Sequence, residues 1–223
     1  ETVIANRPDS ASVHFLGGLV RTRVREFDRA LIAFRKAESF APGNSEILVN
    51  AGTVHYYKKD FDSARYYLNR AIESNPEEAN AFNALAMVEV ELKDYTNAMN
   101  LMSKALLLRP KDPYFLNNRG YVFLFLGKMD EALADINQSI TLDPYNGWAY
   151  RNKGIYYLMN NNIDEAIRLL KRAESADSFI EKLYLYLGSA YERIGDKAAA
   201  CGYFAKALEQ KEMSSDEFKE KCN

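Results

Sequence analysis

The chain has only two cysteines, two histidines and a single tryptophan among its 223 residues. A transition-metal site needs several Cys, His or carboxylate ligands brought together. His14 and His55 stand far apart, with no Cys or His cluster beside either. So few cysteines also exclude a small fold held by many disulfides. No apolar run approaches the ~18 residues that a membrane-spanning helix requires; the longest is 121–126. No glycine-rich phosphate loop, Walker pattern or nucleophile elbow occurs. Basic and acidic residues nearly cancel, for a formal net charge of −2. That balance gives no general attraction to nucleic acid or to an anionic membrane. Carboxylates are plentiful, but spacing singles out no pair. The expectation is therefore a chain that is not an enzyme, carries no cofactor or metal, binds no nucleic acid and does not insert directly into a membrane. The chain opens on Glu1, which reads as a processed or trimmed start and leaves targeting undetermined.

What is present is a period. Glycine or alanine stands at Gly18, Gly52, Ala86, Gly120, Gly154 and Gly188, each 34 residues from the next. Small residues recur in the same register at Ala30, Ala64, Ala98, Ala132, Ala166 and Ala200, and again at Ala37, Ala71, Ala105, Ser139, Ala173 and Ala207. Between them runs a large apolar column of Phe34, Leu68, Met102, Ile136, Leu170 and Phe204. Prolines close the units at Pro8, Pro42, Pro76, Pro110 and Pro144, with Ser178 at the next place. Small residues let helix backbones approach, the large column fills the groove between them, and proline ends the unit. A fixed period of this length marks a solenoid. One helix pair cannot bury its apolar face alone, whereas stacked pairs bury a continuous core.

This small–aromatic–small–proline pattern resembles the tetratricopeptide repeat over about residues 11–212. The resemblance implies an all-α fold, a right-handed superhelical solenoid of six antiparallel helix-turn-helix repeats. The divisions are 11–44, 45–78, 79–112, 113–146, 147–180 and 181–214, with a capping helix over 215–223. Residues 1–10 read as a linker or the tail of a preceding repeat. Asp60 and Asp94 fit helix N-caps or first-turn acids, and Ser214 with Glu217 fits a capping box. Arg21, Arg23, Arg25 and Arg29 read as a solvated terminal face, because Glu26 and Asp28 interrupt them. For function the family implies a non-catalytic scaffold that binds a protein or peptide. The alternative is a structural or self-associating segment of a larger multidomain protein, and homo-oligomerisation stays open.

In the family the first helix of each repeat lines a concave groove. Transferring its positions puts Asn83, Asn117, Asn118 and Asn152 there, beside Tyr114, Tyr121, Trp148 and Arg151. An asparagine amide carries donors and an acceptor, so it can hold peptide backbone of any sequence. Tyr, Trp and Arg are the residue types enriched at binding hot spots. The expectation is a partner-binding set of these eight residues, with Arg151 taking an acidic group or a carbonyl. A conventional carboxylate clamp is not expected, since only Asn152 and Lys182 match its positions.

The two cysteines leave two outcomes open. Cys201 lies early in a second helix and Cys222 near the end of the capping helix, and comparable lengths of chain separate each from a turn near Met213. Either they form a disulfide or they remain separate thiols. A disulfide would imply an oxidising compartment outside the cytoplasm, such as a periplasm or cell surface; otherwise the cytoplasm is expected.

Overall fold

The computed structural model describes residues 10–222, which excludes residues 1–9 of the expected leading segment. Among the described residues there are thirteen α-helices and no strands. In chain order they are α1 (Ala11–Arg23), α2 (Phe27–Phe40), α3 (Ser45–Tyr57), α4 (Phe61–Ser74), α5 (Ala79–Glu91), α6 (Tyr95–Leu108), α7 (Pro113–Phe125), α8 (Met129–Leu142), α9 (Gly147–Met159), α10 (Ile163–Ala176), α11 (Leu183–Arg193), α12 (Lys197–Glu209) and α13 (Ser215–Cys222). None is long and apolar enough to cross a membrane.

The same local chemistry starts and stops these helices. Asn44, Asp60, Asp94, Asp112, Asn146, Asn162 and Asp196 each accept a backbone N–H from the first turn that follows. Such side chains satisfy donors that the helix itself leaves unpaired. The first helix of each pair closes on a left-handed residue: Arg25, Lys59, Lys93, Gly127, Asn161 and Gly195 all have φ between 60° and 83°. At Lys59 the turn is fully bonded, Lys59 N–H donating to Tyr56 O at 2.8 Å and Asp60 N–H to His55 O at 3.0 Å. These bonds take up carbonyls left over at the helix end. At the chain's end, Ser214 and Glu217 exchange the two bonds of a capping box.

The chain divides into two compact units, Glu1–Pro110 and Lys111–Asn223. In the first unit α1/α2, α3/α4 and α5/α6 pack as pairs, α2 also packs on α3, and α4 on α5. In the second unit α7/α8, α9/α10 and α11/α12 do the same, and α13 packs on α12. The alanine column supplies the close approach and the large column fills it: Phe34, Leu68, Met102, Ile136, Leu170 and Phe204 are all 1% exposed or less. At Gly120 the approach leaves no room for a side chain. A Cβ there would lie 2.8 Å from Ile136 and 3.1 Å from the Ala132 carbonyl.

The last pair starts later than its register predicts, at Leu183 instead of Glu181. Lys182 takes the left-handed conformation, φ 59°, and its N–H donates to the Glu212 carboxylate at 2.6 Å. A link to residue 212 thus holds the start of α11, where α1, α3, α7 and α9 rely on a local side-chain cap. Cys201 and Cys222 are joined by a disulfide with Cα atoms 5.6 Å apart, which fastens α13 to α12.

Candidate functional site

In the second unit the first helices α7, α9 and α11 lie side by side, each in contact with the next. Seven of the eight expected site residues are on α7 and α9. Asn83 lies on α5 in the first unit, where it is half-buried. The seven sort into an inner and an outer group. Asn117, Tyr121, Arg151 and Asn152 are each 4% exposed or less. Asn118 and Trp148 are half-buried and Tyr114 is exposed. The inner four are therefore a floor and not an open lining. Asn117, Arg151 and Asn152 bond to one another, to Asn118 and to the Glu181 carbonyl.

The floor is a directed chain of hydrogen bonds. An arginine can only donate. Arg151 donates from Nε (2.9 Å) and Nη2 (2.7 Å) to Asn152 Oδ1, and from Nη1 to the Glu181 carbonyl at 2.8 Å. That fixes which end of the Asn152 amide is oxygen. Its Nδ2 then donates to Asn117 Oδ1 at 2.8 Å. Asn117 Nδ2 in turn donates to Asn118 Oδ1 at 3.3 Å. The oxygens of all three amides thus face back toward the guanidinium, and the last amide, Asn118, reaches the half-buried rim. Hydrogen bonds arranged head to tail polarise one another in a low-dielectric interior. The relay joins α7, α9 and the segment before α11, so it also fixes the register of the three.

Aromatic rings complete the guanidinium's surroundings. The Arg151 guanidinium carbon lies 4.8 Å from the Tyr121 ring centre and 4.9 Å from that of Trp148. Tyr121 meets Phe125 edge to face at 4.9 Å. Tyr114, Phe125 and Met159 expose 42–50% of their surface on the same two helices. Tyr114 donates its hydroxyl to Asp143 at 3.2 Å. Burial, and then the Asp143 charge, push its phenol above the usual value.

Sequence reasoning missed the Glu181 carbonyl as a partner, and it missed Arg193, which donates to the Leu158 carbonyl at 2.6 Å and so ties α11 to α9. No pattern of side-chain types announces a backbone acceptor. The relay itself had a signal: Asn-Asn at 117–118 and Arg-Asn at 151–152 occupy the same two columns. Among the described residues no group of three or more His, Cys, Asp or Glu is placed to hold a metal.

Residues 82–216 match a tetratricopeptide repeat family model, and residues 49–113 match a second. The chain belongs to the tetratricopeptide repeat family. No curated protein matches it by sequence. Tetratricopeptide structures resemble it over most of its length. A chain of the APC/C hetero-tetramer Cut9-Hcn1 aligns with TM-score 0.80 and 16% identity, covering 99% of this chain and 44% of that one. The chain thus spans less than half the length of that relative. TTC0263, a thermophilic TPR protein of Thermus thermophilus, aligns with TM-score 0.72 and 19% identity over 81% of this chain and 98% of its own. YrrB, a TPR protein with an unusual peptide-binding site, aligns with TM-score 0.50 and 23% identity over 80% and 92%. At these identities the likeness is one of fold. That fold is a protein-interaction scaffold.

Proposed function

We propose that the chain is a non-catalytic scaffold that holds an extended peptide or a partner helix in a groove along α7, α9 and α11. The observation that carries this reading is the layering on those helices. A floor whose polar groups are satisfied lies beneath a rim of Tyr114, Asn118, Trp148, Phe125 and Met159. A preorganised floor lowers the ordering cost of binding. Exposed aromatics supply contact area at little entropy cost. In this reading Asn118 and Trp148 touch the partner, while Asn117, Tyr121, Arg151 and Asn152 hold them in place. Asn83 on α5 contributes a separate contact. The unusual peptide-binding site of YrrB supports the reading by analogy of fold alone. The repeat divisions given above, with α13 as the cap, belong to the same proposal. The Cys201–Cys222 disulfide supports an oxidising compartment.

A second reading, self-association, rests on the first pair. Val20 is 64% exposed, whereas Val54 and Val88 in the same column are fully buried. Val54 shares a buried cluster with Ala30, Leu31, Phe34 and Ala37 of the preceding second helix.

The test is a titration of a peptide captured by the intact chain against Trp148→Ala, Asn118→Ala and Arg23→Ala. Trp148→Ala should weaken binding about thirtyfold, the effect of losing ~2 kcal/mol at a central aromatic. Arg23→Ala should leave it unchanged. Equal affinity for all three variants, with a dimer by light scattering, would put self-association ahead.

A further inference from the structure

We infer that the partner is acidic: an extended peptide that brings an aspartate or glutamate carboxylate to the rim at Asn118, above the buried Arg151. This rests on the groove reading above and adds the chemistry of its occupant. Arg151 is 4% exposed. Its hydrogen bonds go to an amide oxygen and a backbone carbonyl, and its faces lie against two rings. All four surroundings are neutral. Among the described residues no carboxylate pairs with it.

Three other arginines that reach a second helix are treated differently, whereas the exposed Arg193 keeps the neutral partners Leu158 O and Asn161 Oδ1. Arg119 is bidentate on Asp135 at 2.6 and 2.8 Å. Arg65 is bidentate on Glu89, and Arg70 meets Glu38 at 2.5 Å. Each of these is more exposed than Arg151 and still has a carboxylate. A charge removed from water without a counter-ion is costly, and the cost falls when a counter-ion arrives. Carbonyl oxygens and ring faces relieve part of it.

The relay carries the consequence to the surface. Every amide in it turns its oxygen toward the guanidinium, so the dipoles point their positive ends toward Asn118 at the rim. The potential at the rim is therefore positive and favours an anion, because the field behind it is that of a buried cation without a counter-ion in a low dielectric. A phenyl or alkyl side chain next to the acid would lie on Trp148. Charge complementarity of this kind selects the partner as well as holding it.

The probe is a displayed library of random ten-residue peptides selected on the intact chain. Aspartate or glutamate should be enriched at one fixed position of the selected peptides. In the tightest of them, synthesised, changing that acid to its amide should weaken binding about tenfold. Arg151→Met should abolish the preference for acid over amide. Because that variant removes a buried group, Asn118→Asp at the half-buried rim serves as the second: it should weaken the acidic peptide about tenfold and leave the amide peptide unchanged. Peptides that lose binding on Trp148→Ala but show no enriched acid, or no loss on conversion to the amide, would overturn the inference and leave the groove standing. Peptides indifferent to Trp148→Ala, or no selected peptide at all, would overturn both.

Discussion

Asn50 and Asn152 hold the same place in their helix pairs, and their amides do different things. In the first unit Asn50 Nδ2 donates to the Glu46 carbonyl of its own helix at 2.8 Å. In the second unit Asn152 Nδ2 reaches Asn117 on the neighbouring first helix. The column beside them differs in the same sense in two repeats of each unit, with Asn83 of the first unit and Leu185 of the second as the exceptions. Phe15 and Val49 of the first unit pack into apolar surroundings, Phe15 against Phe34 and Val49 at 7% exposure. Asn117 and Arg151 stand there in the second unit. The core columns meanwhile match throughout, from Ala30 and Phe34 to Ala166 and Leu170. The fold asks for the core columns only. The first-helix columns are free of that demand, so they are where one unit can become a site while the other remains scaffold.

The largest expected difference between the units is in stability. Asn152→Ala leaves Arg151 and Asn117 short of partners inside the protein and should cost about 2–3 kcal/mol in chemical denaturation. Asn50→Ala removes a bond made beside solvent and should cost less than ~0.5 kcal/mol. Equal costs would dissolve the contrast. The smallest expected difference is in the shared core. Ala98→Phe and Ala132→Phe both overfill a fully buried alanine position and should each cost about 1–3 kcal/mol. A clear difference between the two would mean that the units are built on different packing.

The fold was legible because its signal is repeated: each core column is read several times in one register, and Asp60 and Asp94 cap where acids before an aromatic are expected to. The start of α11 was less legible, since Lys182 is held by Glu212, thirty residues away and outside any local pattern. The site was legible in composition and not in depth. The family's groove columns name Asn117, Arg151 and Asn152, but a column does not say whether the next helix closes over it. In the second unit α7, α9 and α11 do so, and residues that looked like contacts lie beneath the surface. The cysteines could be counted toward one another along two helices without deciding between bridge and free thiols. Their 5.6 Å Cα separation comes from the docking of α13 on α12, which sequence alone does not contain.

The most direct measurement is hydrogen–deuterium exchange of the intact chain with and without its tightest selected peptide. Binding in the second-unit groove predicts that protection rises in α7, α9 and the start of α11, while α1, α3 and the second helices stay unchanged. Protection confined to α1 and α3, or to the second helices, would contradict the account.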